Sequence, residues 1–79
     1  MSSITLESVT RTAEEIARLC TEGNLTETQC GEMILDLREL QAEIGDTEEN
    51  RFLISQCLFA EYCLQLRLSE ISEQKSKRG

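Results

Sequence analysis

The sequence predicts an all-α fold, either a small three-helix bundle or a helical hairpin with an extra N-terminal helix. The chain contains no proline, and its apolar residues recur at intervals of three and four. Gly23 and Gly45 interrupt this pattern at two points. Because proline is the strongest helix breaker and glycine suits the left-handed cap that ends a helix, these observations divide the chain into three helices.

The first helix is predicted over residues 6–22. Its apolar residues follow a spacing of three and four that lines one side of a helix: Leu6, Val9, Ala13, Ile16 and Cys20. Thr5 precedes this run, and its hydroxyl can accept a hydrogen bond from a backbone N–H of the first turn. We therefore expect Thr5 to be the N-cap.

The second helix is predicted over residues 27–44. Thr26 and Gln29 have the spacing of a capping box, and Leu25 and Cys30 flank the same cap as a hydrophobic staple. One apolar face follows at helical spacing, formed by Cys30, Met33, Ile34, Leu37, Leu40 and Ile44. This face requires a packing partner.

The third helix is predicted over residues 47–72 and is the longest, at roughly 40 Å against roughly 27 Å for each of the others. Asp46 and Thr47, with Glu49 and Asn50 further on, mark its start. One apolar seam comprises Leu53, Cys57, Ala60, Leu64, Leu68 and Ile71, widened by Ile54 and Leu58. A second seam, on roughly the opposite side, comprises Phe52, Phe59, Tyr62, Cys63 and Leu66.

The second seam has two interpretations. The helix is either the fully buried centre of the bundle, with both seams internal, or it offers the second seam to another molecule. Phe52, Phe59 and Leu66 are seven residues apart, the repeat that keeps an apolar stripe facing a partner helix. Aromatic residues are enriched in interface cores, and a small domain has little core in which to bury them. The sequence therefore favours a protein interface, formed most economically by a homodimer.

The length and charge predict one helical domain over residues 1–74, followed by a basic flexible tail over residues 75–79. The formal net charge is −7, and residues 1–51 carry 12 acidic side chains against four arginines. Lys75, Lys77 and Arg78 crowd into the last five residues. Because nucleic acids and anionic membranes attract clustered Lys and Arg, we expect no direct nucleic-acid binding and no membrane association.

Four carboxylates follow one edge of the second helix opposite its apolar face: Glu32, Asp36, Glu39 and Glu43. A solvated outer face is the simpler interpretation. The alternative is an acidic docking edge that meets a basic groove on a partner and accelerates association. Nothing in the sequence identifies such a partner.

Catalysis is not expected. The chain has no histidine, which excludes Ser-His, Cys-His and His-zinc arrangements, and no glycine-rich phosphate loop. A slender bundle also offers no evident cleft in which to perturb a carboxyl group. Four cysteines lack the C-x-x-C spacing of a zinc site, so we expect reduced, packed thiols, with no metal and no cofactor: Cys20, Cys30, Cys57 and Cys63. The absence of a signal-peptide pattern predicts a cytoplasmic location.

The sequence as a whole predicts a non-catalytic protein-binding module that acts by helix-to-helix packing, as a small adaptor, a co-chaperone or an inhibitor of a larger protein. Two alternatives remain open. One is a phage-type inhibitor of a nucleic-acid enzyme or defence complex that acts through the acidic edge. The other is a structural homo-oligomer with no further partner.

Overall fold

The computed structural model describes the backbone of residues 5–78 and the side chains of residues 5–75. It contains three helices, α1 (Leu6–Glu22), α2 (Glu27–Ile44) and α3 (Arg51–Arg78), and no strand in these residues. The predicted all-α class is confirmed, and α1 and α2 have the predicted bounds. Within residues 5–78, no helix combines the length and the apolarity needed to cross a membrane.

The starts of α1 and α2 are explained by local hydrogen bonds. The hydroxyl of Thr26 accepts from the backbone N–H of Gln29 at 3.2 Å, and the Gln29 side chain accepts from the backbone N–H of Thr26 at 3.0 Å. Thr5 and Ser8 form an equivalent capping box at α1. Each box satisfies two backbone donors that would otherwise lack a partner. The predicted caps at Thr5 and Thr26 are therefore confirmed.

The two glycines end their helices in different ways. Gly23 has φ 73° and ψ 18°, the left-handed helical conformation predicted for a C-cap. Gly45 also has a positive φ, 82°, but its ψ of 137° is not that of a left-handed helix, which differs from the prediction. Both positions favour glycine because a Cβ atom disfavours positive φ.

α3 begins at Arg51, not at the predicted residue 47. The carboxamide of Asn50 donates to the backbone carbonyl of Ile44 at 2.8 Å, and its backbone carbonyl accepts from Ile54 at 3.0 Å. Asn50 thus hydrogen-bonds to the last residue of α2 and accepts the first backbone hydrogen bond of α3. An Asn side chain that bonds to nearby backbone favours a turn over a continuous helix, and residues 45–50 form the turn between the two helices.

α3 continues to Arg78 rather than ending near residue 72. Lys75, the first residue of the predicted tail, lies in this helix, and its Nζ is 2.7 Å from the Glu27 carboxylate at the start of α2. Both side chains are exposed, so this ion pair contributes little to stability. The 28 residues of α3 span about 42 Å at 1.5 Å per residue.

The core lies where α3 packs between the other two helices. Contacts join α3 to α1 and to α2, whereas the Cα atoms of α1 and α2 stay more than 8 Å apart in the described residues. An ion pair of 3.7 Å between Arg38 and Glu61 also links α2 to α3. The buried cluster comprises Val9, Ala13, Ile16, Leu25, Cys30, Ile34, Leu37, Cys57, Ala60 and Leu64, with Leu53 and Leu68 packed against it. Five residues of the first seam of α3 are thereby confirmed as core residues, whereas Ile54 and Ile71 are only partly buried and are not part of this cluster. Both residues of the predicted staple, Leu25 and Cys30, lie in the cluster.

Two of the residues assigned to the core are exposed. Leu6 is 51% exposed and Leu58 is 52% exposed. Leu6 occupies the first turn of α1, ahead of Val9, where the buried cluster begins. Leu58 lies at the margin of its helix face, and because α1 and α2 cover only the opposite side of α3, it faces outward.

Arg67 connects α3 to the loop between α1 and α2. Its Nε donates to the carbonyl of Leu25 at 3.2 Å, and its Nη2 donates to the carbonyl of Gly23 at 2.8 Å. The Arg67 side chain is only 13% exposed. Planar guanidinium groups are suited to holding two acceptors at once, so Arg67 fixes the loop against α3.

Candidate functional site

The most prominent surface of the protein is the outer face of α3, which we define as five exposed apolar side chains. They are Phe52, Leu58, Phe59, Tyr62 and Leu66. Each is between 49% and 62% exposed, whereas Leu64 and Ala60 on the core side of the same helix are fully buried. Because α3 is apolar on both sides and only one side is covered, this surface is left facing solvent.

Four of these five residues belong to the second seam predicted from the sequence. Their exposure contradicts the interpretation in which α3 is buried on both sides. Leu58 is the residue that sequence reasoning missed. A signal existed, because Leu58, Tyr62 and Leu66 are spaced by four residues and therefore share one side of a helix.

Cys63, the remaining member of the predicted seam, lies beside this face. It lines a shallow groove of about 430 Å³ between α1 and α3, together with Cys20, Phe59, Leu66 and Arg67. Phe59 and Leu66 therefore belong to both the outer face and the groove. The apolar surface continues from α3 towards α1 and includes a recess that can receive protruding side chains.

All four cysteines are free thiols in environments of two kinds. Cys30 and Cys57 are buried, whereas Cys20 and Cys63 are partly exposed. Burial raises the pKa of the Cys57 and Cys30 thiols, and Arg67 partly offsets the shift at Cys30. Burial is also the main cause of the raised pKa of Cys20, to which the neighbouring Cys63 adds. Raised pKa values lower the thiolate fraction and therefore the reactivity of these cysteines.

We expect thiol reagents to modify Cys63 and Cys20 before Cys30 and Cys57 in the native protein, because only the first two are partly exposed. Mass spectrometry of a labelling time course in the native protein measures the order in which the cysteines are modified. Equal labelling rates at all four sites would contradict the assigned burial.

The raised thiol pKa values also predict a pH dependence of stability. In the folded protein, the pKa values of Cys20, Cys30 and Cys57 lie above that of an unfolded thiol, about 8.5. The contribution of these protonated thiols to the free energy of unfolding is therefore complete below about pH 8.5 and is lost as the pH rises through the folded-state pKa values. Urea denaturation at a series of pH values measures the change in stability.

A second groove, of about 250 Å³, separates α1 from α2. Its lining residues are Thr12, Glu15, Ile16 and Leu19 from α1 and Met33, Asp36, Leu37 and Leu40 from α2. The sequence does not predict this groove. The groove exists because both helices approach α3 closely but not each other.

The predicted acidic edge of α2 flanks this second groove. Its four members, Glu32, Asp36, Glu39 and Glu43, are all exposed. Of these, only Asp36 lines the groove, where it is joined by Glu15 of α1. Sequence reasoning missed the position of Glu15 on this groove, because the groove forms between two helices and leaves no pattern within either one.

The described residues include no group of three or more His, Cys, Asp or Glu side chains placed to hold a metal ion. Comparison of the chain with protein-family models, with curated proteins and with solved structures finds no match. The function is therefore inferred from the surfaces of the molecule.

Proposed function

We propose that the protein is a non-catalytic protein-binding module that acts by helix-to-helix packing, and that the outer face of α3 binds a second copy of the chain. The observation that carries this proposal is the exposure of five large apolar side chains on one side of α3. Contiguous apolar patches of this kind mark interaction surfaces in soluble proteins.

The apolar area is sufficient for a dimer. Large apolar and aromatic side chains have roughly 200 Å² of surface each, so five half-exposed ones present about 500 Å² per chain. Two copies would therefore bury about 1,000 Å² from these residues alone, the area at which a specific interface becomes distinguishable from a chance contact. Residues that flank the outer face and the groove between α1 and α3 would add to this area.

The charges at the two ends of the outer face support an antiparallel pairing. Arg51 and Glu73 are both exposed, and each is eleven residues from Tyr62. If a two-fold axis passes near Tyr62, Arg51 of one protomer lies opposite Glu73 of its partner, and Leu58 lies opposite Leu66. A parallel pairing would instead bring like charges together. Self-complementarity of this kind is what a two-fold interface requires.

The substitution Phe59→Ala is expected to weaken the dimer at least tenfold while leaving the helicity of the monomer largely unchanged, because Phe59 lies on the outer face and not in the buried cluster. Sedimentation equilibrium and circular dichroism across a range of protein concentrations measure both quantities. Leu35→Ala is the matched control, because Leu35 is an apolar residue on α2 that is 60% exposed, against 53% for Phe59. A wild-type protein that stays monomeric up to millimolar concentration would contradict the proposal.

The pairing orientation is tested in the same assay. Arg51→Glu should weaken the dimer by placing like charges opposite one another, and adding Glu73→Arg should restore it. Added salt should not weaken the wild-type dimer, because the contact is mainly apolar and each chain carries a net charge of −7. If the second reversal weakens the dimer further, the antiparallel arrangement is wrong.

A further inference from the structure

The groove between α1 and α2 is a gap between two helical walls, of the kind that a further helix fills in a larger bundle. The two helices that form its walls stay more than 8 Å apart between Cα atoms, and within the described residues nothing covers the gap. Apolar side chains form most of its lining: Ile16, Leu19, Met33, Leu37 and Leu40. In a four-helix bundle, a fourth helix would lie over such a gap.

The size of the groove favours side chains over a small molecule as its occupant. Its volume of about 250 Å³ lies below the range of about 300 to 1,000 Å³ typical of pockets for drug-sized ligands. The lining residues span positions 12–19 and 33–40, about 10 Å or two helical turns along each wall. This space suits two or three apolar side chains from one face of a short helix. Met33 is flexible and lets the groove adapt to their shapes.

The charges on the groove are all of one sign. Glu15 lies on the α1 wall and Asp36 on the α2 wall, and no lysine or arginine is among the described lining residues. Of the arginines near these positions in the chain, Arg18 on α1 does not line the groove, and Arg38 on α2 contacts Glu61 on α3 at 3.7 Å. An apolar floor between two carboxylates complements a helix whose apolar stripe is flanked by lysine or arginine.

From these observations we infer that the α1–α2 groove is a docking site for a cationic amphipathic helix of a partner protein. The apolar stripe of that helix occupies the groove, and its basic flanks contact Glu15 and Asp36. Ile16 and Leu37 belong both to the groove lining and to the core that packs on α3. The groove therefore opens on the opposite side of the molecule from the outer face of α3. The two surfaces can be occupied together, so the inference does not depend on the dimer.

The test uses a fluorescent peptide of about 14 residues, with leucines at helical spacing and lysines on both flanks. A second peptide has the same charge, with the leucines replaced by serine. We expect the first peptide to bind at least tenfold more tightly than the second and to shift the methyl resonance of Met33. Added salt should weaken its binding, in contrast to its expected effect on the dimer.

Charge reversals on the protein locate the site. The double variant Glu15→Lys, Asp36→Lys should lose at least tenfold in affinity for the leucine peptide. Glu14→Lys, Glu48→Lys is the matched control, with the same change in net charge at exposed positions outside the groove, and should lose less than threefold. Phe59→Ala should leave peptide binding unchanged whether or not it disrupts the dimer. Equal losses in both double variants, equal binding of the two peptides, or an unshifted Met33 resonance would overturn the inference.

Discussion

Replacing Leu64 with alanine is expected to lower the free energy of unfolding by about 2 to 5 kcal/mol. Leu64 is the largest of the fully buried side chains. It belongs to the cluster that joins all three helices. Truncation removes apolar burial and leaves a cavity that the surrounding helices fill only in part.

The loss is large relative to the total stability of so small a domain, which is about 4 to 12 kcal/mol at the usual value per residue. Urea denaturation followed by circular dichroism measures it, at a low and a high protein concentration so that dissociation of the proposed dimer is separated from unfolding. Leu35→Ala removes the same atoms from an exposed position and should cost less than about 1 kcal/mol. Similar losses in the two variants would show that Leu64 is not the centre of the core.

The second large effect is expected for Arg67→Ala, which should cost about 2 to 3 kcal/mol. The substitution removes both hydrogen bonds that hold the loop between α1 and α2, those to Gly23 and Leu25. It leaves the Leu25 carbonyl without this donor in a partly buried position, and an unsatisfied buried acceptor destabilises the folded state.

Two further variants show whether geometry or charge is responsible. Arg67→Lys should recover only part of the loss, because a single ammonium group does not reproduce the fork that reaches two carbonyls. Arg11→Ala breaks an exposed ion pair with Glu7 and should change stability by less than about 1 kcal/mol. Denaturation midpoints of all three variants provide the comparison. If Arg67→Lys is as stable as the wild type, the positive charge alone accounts for the effect.

The sequence predicts most accurately the features that depend on interactions between residues close together in the chain. α1 and α2 begin at residues whose caps are completed by side chains three positions away, so a short window of sequence contains the whole signal. The start of α3 depends instead on a bond from Asn50 back to Ile44 across a turn. The residues that precede α3 offer several caps of similar quality, and only the path of the turn selects Asn50.

The same distinction applies to the candidate surfaces: a surface formed by one helix is predictable from the sequence, whereas a surface formed between helices is not. The seven-residue repeat of Phe52, Phe59 and Leu66 identified a second apolar side of α3, and the structure leaves these residues exposed. The groove between α1 and α2 was not expected, because its lining mixes residues from two helices. Leu58 was assigned to the wrong side because the position of α1 and α2 around α3 determines where the covered face ends.

By itself, the sequence determined the all-α class, the positions of α1 and α2, and the presence of more apolar surface on α3 than one core can cover. These properties arise from hydrogen bonds and side-chain spacing within a few residues. Only the tertiary structure decided which side of α3 faces solvent, that a groove opens between α1 and α2, and that Arg67 holds a loop 42 to 44 residues away in the chain. Such contacts depend on how the helices pack against one another, which short-range patterns do not specify.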